Sequence, residues 1–513
     1  LNLFKSTIEV IMRSSFDALV EHLRDVENLN AAEGLLGWDQ QVIMPPGGAE
    51  SRASQLATVS RITHELFTGE QTARLLDAAE NELNGAAYDS DDASLIRVVR
   101  EDYRRLTKLP AALVSENVRV TALAHDVWAH ARANNDFASF VPALTQIYEL
   151  ARRIADHLGY DDHPYDALLG EYERGVTSAQ VKAIFDDHKT PLVALISQIS
   201  DHADRTDNTI LHQPYPIDDQ RAFALDIIKA FGFDLNRGRQ DISVHPFAQS
   251  FSRDDVRITT RFNPNFLNPA LFGMLHEAGH AMYEQGVSAQ IDALPLLGEG
   301  TSLGVHESQS RMWENIVGRS KGFWSWALPQ LQLAFPQQLG GVDLDTFYRA
   351  INQVTPSFIR VEADEATYNL HIMLRFEIEM ELLNGQIKIA DLARVWNERF
   401  EAFFGIVPPT DTLGVLQDVH WSSGLIGYFP TYALGNMLAA QYYRKAIADH
   451  PSIPADIASG KFDTLRLWLN EHIHQHGRKY DGDELTRRVT GEGIQSHYYM
   501  EYLQAKYGEI YGV

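Results

Sequence analysis

Apolar side chains recur every three or four positions through the first two hundred residues, the period of helices that lay one face on a core. Residues 16–28 carry this pattern, and it continues through 31–42. Met44-Pro45-Pro46-Gly47-Gly48 stops it, because neither proline nor glycine continues a helix. The pattern resumes over 49–66 and 71–83, then breaks in the polar, glycine-containing stretch 84–92. Residues 94–106, 111–134 and 137–158 predict three long helices. Thr177-Ser178-Ala179-Gln180 has the form of a capping box and predicts a helix start at the head of 177–205.

The texture changes over 241–263. Residues 242–247 and 256–262 are rich in β-branched and aromatic side chains, and Ser252-Arg253-Asp254-Asp255 between them suits a turn. This predicts a β-hairpin, with the first strand ending or lying at an edge because Pro246 has no amide proton to donate. Helical period returns in residues 271–285, LFGMLHEAGHAMYEQ, with Asn268-Pro269 as a start signal and Gly286 as a stop. Residues 306–317, 347–353, 358–383, 389–404 and 432–450 predict further helices, whereas 411–432 is glycine- and aromatic-rich and less regular. Short strands at regular spacing, internal repeats and long linkers are all absent from the sequence. The expectation is one mainly α domain spanning 1–513, with a small sheet beside the 271–285 helix. Met12 is a candidate natural start, which would make residues 1–11 a leader or cloning remnant.

Composition narrows the function. The chain has no run of apolar residues long enough for a membrane span. It has no cysteine, which removes disulfides, thiolate metal sites and cysteine nucleophiles, and fits a cytoplasmic protein. A net charge of −25 disfavours nucleic acid and anionic membranes as partners.

The chemistry concentrates in His276-Glu277-Ala278-Gly279-His280. Two histidines at i and i+4 lie one above the other on a helix face, so both can reach one metal ion. Glu277 is rotated off that face, in a position to act on a metal-bound water as general base. Coincidence is a real alternative in a helical protein with 20 histidines. It weakens here because Leu271, Phe272, Met274, Leu275 and Met282 are apolar enough to bury the helix, and burying these polar groups without a partner is costly. A catalytic zinc site needs a third ligand. Glu284 is one turn further, about 6 Å along the axis and too far to share the ion. The following segment, His306-Glu307-Ser308-Gln309-Ser310-Arg311, offers Glu307, giving a His, His, Glu set of gluzincin type; His306 and Glu299 are the alternatives.

Taken together the motifs resemble the carboxypeptidase Taq family of metallocarboxypeptidases over nearly the whole chain. The matching stretches are His245-Pro246-Phe247, Asp255-Val256-Arg257-Ile258-Thr259, His276-Glu277-Ala278-Gly279-His280, His306-Glu307-Ser308-Gln309-Ser310-Arg311, Ile359-Arg360-Val361-Glu362-Ala363-Asp364 and Gly414-Val415-Leu416-Gln417-Asp418-Val419-His420-Trp421. Trp38-Asp39-Gln40 and the Pro45-Pro46-Gly47-Gly48 stop are similar too. The resemblance implies a two-lobed helical body with a deep groove, one metal ion per subunit, usually Zn²⁺ with Co²⁺ as a substitute, and a homodimer. It implies release of single residues from peptides with a free C-terminus, with broad preference and poor action beside proline.

The same resemblance points to further residues. Helical zinc peptidases of this kind carry a histidine and a tyrosine about ten residues apart that steady the oxyanion, which here makes His420 and either Tyr428 or Tyr432 candidates. The sequence does not choose between the tyrosines, and each could equally be a buried aromatic with a satisfied hydroxyl. Arg360 and Arg257 are candidates for the terminal carboxylate, the alternative being ion pairs with Asp255, Glu362 or Asp364. His245 is expected at the groove, donating to a substrate carbonyl, or else packed at a strand edge. Arg311 is expected to orient Glu307, and Asp418 to orient His420. Two other functions compete with a carboxypeptidase: an endo-oligopeptidase using the same zinc core, and a helical scaffold that has kept the fold without activity. A lost ligand or a lost Glu277 would mark the scaffold, and neither is lost.

Overall fold

Ser14 accepts a hydrogen bond from the Asp17 amide, and from there one unbroken helix, Ser15–Val42, takes in both amphipathic segments at the head of the chain. The structure is a computed structural model describing residues 14–513, so the reading of 1–11 as a leader lies outside the described residues. The next helices, Ala49–Thr68, Glu70–Glu82, Asp91–Lys108, Ala111–Asn134 and Phe137–Leu158, follow the apolar period closely. Thr177 and Gln180 form the reciprocal capping box at the start of Ser178–Ser200.

The sheet differs from the predicted hairpin. It has three strands in the order β1-β3-β2, with β1 Gly238–Ile242, β2 Ala248–Ser252 and β3 Asp255–Thr260. β1 runs parallel to β3, and the hairpin joins β2 to β3. Ile242 therefore ends a strand, and 243–247 is a connection. Single backbone bonds still join its two ends to β3, from the Ser243 amide to the Thr260 carbonyl at 3.2 Å and from the Thr259 amide to the Phe247 carbonyl at 2.9 Å, and side chains add to them. Thr259 Oγ1 lies 2.7 Å from Ser243 Oγ and accepts from the Phe247 amide at 3.0 Å, just after the proline that has no amide to offer.

Two other expectations are corrected. Asn268 is the first residue of the helix Asn268–Gln285 and not its cap; Leu267 stands at the cap position. The helix expected over 358–383 forms only as Tyr368–Leu383. Before it, Asp364 takes the amides of Thr355, Ala366 and Thr367, and Gln417 binds the Arg360 amide and the Phe358 carbonyl. These local bonds compete with helix formation and tie 355–367 to the irregular segment 411–429 instead.

Burial divides into two apolar cores. The larger runs through the metal-helix region and the C-terminal helices; the smaller joins the first helices to Val287, Ile291, Leu296 and Leu297. A cavity of about 470 Å³ opens against the smaller core at Val26, Phe67 and Leu296, lined among others by Asn30, Asp102 and Glu299.

Candidate metal centre and active site

Three helices converge on the site, and glycine lets them. Gly279, inside the HExxH helix Asn268–Gln285, faces the backbone of Leu303–Arg311: a Cβ there would stand 2.5 Å from the Gln309 carbonyl oxygen and 2.6 Å from Ser310 Cα. On the other side, a Cβ on Gly435 of Pro430–Asp449 would meet Glu307 Cγ at 2.5 Å. Only glycine permits such approaches. They press the Glu307 helix between its neighbours and hold its carboxylate against the two histidines.

Glu307 Oε2 lies 3.6 Å from His276 Nε2 and 3.4 Å from His280 Nε2. Among the described residues, His276, His280 and Glu307 form the cluster whose ligand atoms all lie within 4.8 Å of one another. Ligand atoms about 3.4 Å apart suit a tetrahedral ion held at about 2.0–2.1 Å by each, so the donor set fits a zinc-sized ion. Arg311 Nε and Ser310 Oγ donate to Glu307 at 2.7 and 3.0 Å. Burial pushes the Glu307 carboxyl up, but Arg311 and the two histidines outweigh it and hold it well below the usual range.

Each histidine is also held from behind. His276 Nδ1 is 2.9 Å from Glu314 Oε2. His280 Nδ1 is 2.6 Å from His306 Nδ1, whose Nε2 is 2.7 Å from Glu284 Oε1. A carboxylate at the end of each chain fixes which imidazole nitrogen carries the proton and leaves Nε2 free for the ion. His306 is thus a partner of His280, Glu284 a partner of His306, and Glu299 reaches away to Arg478 at 3.3 Å. Met312–Val317 continues the Glu307 helix as a π-helix that carries Glu314, a local widening found often at functional sites.

Glu277 is buried, at 6% exposure, and burial pushes its carboxyl up to about 7, with His276 opposing and Glu307 and Glu314 adding to the shift.

Above the histidines lies an aromatic wall. His420 Nε2 is 3.3 Å from the Tyr432 hydroxyl, and the Tyr428 and Tyr432 rings are 5.3 Å apart. Tyr432 stands one turn before Gly435, the glycine packed on Glu307, and its ring lies 6.1 Å from that of Tyr368, which the Arg311 guanidinium covers at 4.8 Å. Burial holds His420 down at about 4, so its imidazole is neutral. The expected bond from Asp418 to His420 is not made: the separation is 3.8 Å, because Asp418 is occupied by Arg360 and Arg375 at 2.8 and 2.7 Å.

The candidate carboxylate binders separate. Arg360 pairs with Asp418, an alternative the sequence did not suggest, donates to the Tyr368 hydroxyl at 2.8 Å and stacks 5.0 Å from the Tyr432 ring. Arg257 meets Asp255 through two 2.8 Å bonds and lies over Trp38 and Phe251, which is the bracing alternative. His245 sits exposed in the connection between β1 and β2.

The match to known proteins agrees with this geometry. The family model described as carboxypeptidase Taq (M32) metallopeptidase matches residues 18–507. The chain belongs to the carboxypeptidase Taq family. It is 40% identical over 508 residues to thermostable carboxypeptidase 1 of Thermus thermophilus, covering 97% of this chain and 99% of that one. It is 36% identical over 489 residues to carboxypeptidase 1 of Bacillus subtilis, covering 95% and 97%. The crystal structure of the M32 carboxypeptidase from Deinococcus radiodurans superposes with a TM-score of 0.94 at 40% identity, over 97% of this chain and 100% of that one. Membership makes the chain a metal-dependent peptide hydrolase of mainly helical fold.

For this carboxypeptidase Taq member, sequence reasoning missed Glu314, Tyr368 and Arg375. Glu314 had a signal: it follows Glu307 by seven residues, two helical turns on one face. Arg375 stood out only as a charge inside the apolar run YNLHIMLRFEIEMELL.

Proposed function

We propose that this chain is a zinc carboxypeptidase that removes single residues from the free C-terminus of peptides. One observation supports it above the rest: a His, His, Glu set spaced for one ion, beside a buried cluster in which two guanidinium groups share one carboxylate. His276, His280 and Glu307 would hold Zn²⁺, with Co²⁺ as a substitute. The bound ion supplies Lewis acidity toward the scissile carbonyl and makes a water acidic enough to attack at neutral pH.

The chain's own groups do the rest. Glu277 takes the proton of the attacking water and hands it to the leaving amine. The Tyr432 hydroxyl, held by His420, donates to the oxyanion that forms on the carbonyl, and Tyr428 lines the same wall. The surplus positive charge of the Arg360, Arg375 and Asp418 cluster stands beside Tyr432 and complements the terminal carboxylate through Arg360. Arg257, held by Asp255 through Nε and Nη2 and stacked on Trp38, braces the sheet. His245, exposed on the β1–β2 connection, contacts the substrate backbone. Poor action beside proline belongs to the same reading. The absence of cysteine supports a cytoplasmic location. No helix among the described residues is long and apolar enough to cross a membrane. Family likeness supports a single domain and a homodimer, the latter tested by sedimentation.

The deciding assay compares one peptide with a free and with an amidated C-terminus. The metal-loaded enzyme should release the last residue from the free form and leave the amide intact. Equal cleavage of both would replace this reading with an endo-oligopeptidase.

A further inference from the structure

Glu379 lies on Tyr368–Leu383 at 0% exposure, deep inside the larger core and outside the machinery described above. An ionisable group at such a site must be met by donors or it is costly to bury. Three converge on it. Trp421 Nε1 donates to Oε1 at 2.8 Å; the Tyr165 hydroxyl and the Gly427 amide donate to Oε2 at 2.7 and 3.2 Å. The Trp421 indole and the Gly427 amide can only donate, and they sit one on each carboxyl oxygen. A carboxylate accepts only, whereas a glutamine amide would aim N–H groups at a donor.

The sequence positions of these partners give the arrangement its meaning. Trp421 follows His420, and Gly427 precedes Tyr428. Glu379 therefore fastens the irregular segment 418–429 at two points that lie between its functional residues, one next to each of them. One turn earlier on the same helix, Arg375 fastens Asp418 at 2.7 Å. The far side is closed by backbone: Gly427 has φ of +94°, and a Cβ there would stand 2.8 Å from the Leu169 amide nitrogen. The segment itself has no regular element but is folded by its own turn bonds, from the Ser423 amide to the Val419 and His420 carbonyls at 3.2 and 3.1 Å, from Gly424 to Trp421 at 3.0 Å, from Leu425 to His420 at 3.0 Å and from Ile426 to Gly424 at 2.9 Å. Those turns fix its local shape, while its placement on the body of the fold is set by what grips it from Tyr368–Leu383 and, at Asp418, by Arg360.

We propose that Glu379 is a positioning residue that sets the placement of His420 and Tyr428 by gripping Trp421 and Gly427 at once. The proposal rests on the carboxypeptidase reading for its kinetic consequence, not for the grip itself. Loss of the grip shifts His420 against Tyr432, and a displacement of about 1 Å at such a group costs about 100-fold in rate.

The test is Glu379→Gln in the full-length, zinc-loaded enzyme, assayed on a blocked peptide with a free C-terminus. The expected result is a kcat lowered about 10- to 100-fold, with KM and bound zinc within about twofold of the parent. Hydrogen exchange should quicken in 418–429 and stay unchanged in the HExxH helix. Placed on a His420→Ala background, the same change should lower kcat by less than about twofold further, because residues acting as a unit are not additive. A folded variant with unchanged kcat, or full additivity with His420→Ala, overturns the proposal and leaves Glu379 a structural group. If Glu379→Gln does not fold, Trp421→Phe removes one donor while keeping an aromatic ring, and takes the same tests with the same expected directions. If the parent enzyme lacks carboxypeptidase turnover, the functional reading falls. The exchange comparison then decides the grip alone: faster exchange in 418–429 supports it, and unchanged exchange refutes it.

Discussion

Adding a single methyl group at Gly279 should weaken this protein's hold on its metal. The substituted Cβ would lie 2.5 Å from the Gln309 oxygen, 2.6 Å from Ser310 Cα and 2.9 Å from the Gln309 carbonyl carbon. All three are backbone atoms of the Glu307 helix, so no side chain can swing aside. Restoring ordinary contact at about 3.5 Å requires the two helices to part by about 1 Å. The ligand atoms are 3.4 and 3.6 Å apart across that same interface, and a zinc ion tolerates little beyond bonds of about 2.0–2.2 Å. Overpacking costs about 1–3 kcal/mol, which exceeds the gain of about 0.5–1 kcal/mol from removing a helical glycine. Metal affinity should fall about 10- to 100-fold, the range seen when the supports of a ligand are disturbed. Gly273→Ala is the matched control, since it lies in the same helix with nothing within 4 Å of its added Cβ. Competition with a zinc-binding dye reads the affinity, and calorimetry reads Tm. The control should bind zinc normally and melt at the same temperature or higher. If Gly279→Ala matched the control in both, close backbone approach would not be what sets the site.

Three further outcomes are expected. Glu277→Gln should keep its zinc and lose about 100- to 10,000-fold in kcat, the scale of general-base catalysis; turnover near the parent's would remove Glu277 from the mechanism. His306→Ala leaves His280 Nδ1 and Glu284 without their shared partner, so zinc binding should weaken about 10- to 100-fold, and an unchanged dissociation constant would contradict the relay. Glu173 is buried at the start of the Glu307 helix, accepting from the Gly304 amide, and burial pushes its carboxyl from 4.5 up to about 8. The folded state thus binds the proton more tightly than the unfolded chain, so this group's contribution falls as pH rises from 4.5 toward 8 and levels off beyond. Glu173→Gln should stabilise the protein at pH 8 relative to pH 5, and denaturation curves whose mutant-to-parent difference does not change with pH would refute the assignment.

Much of the molecule was legible in the chain alone. Helical period alone located Ala111–Asn134 and Phe137–Leu158 at both ends, because a one-sided apolar stripe is local information. The HExxH spacing put two imidazoles on one face for the same reason. The need for a third ligand pointed to Glu307, and the structure brings it to both histidines. What failed locally was the strand pairing: β1 lies parallel to β3, a long-range choice that 242–247 does not encode by composition. The helix expected from 358 also failed, since Asp364 and Gln417 draw its first ten residues into other bonds.

Tertiary structure alone decided who partners whom. Arg360 meets Asp418 across 58 residues of chain, and Glu379 meets Tyr165 across 214. His306 could have been a ligand by its position in the sequence; the packing of the two helices made it a support for His280 instead. The sequence determined which residue types were present and which helix faces they occupied, because those follow from short-range periodicity. Which buried charge answers which donor follows from helices closing on one another, and glycines 279 and 435 show how closely they do so.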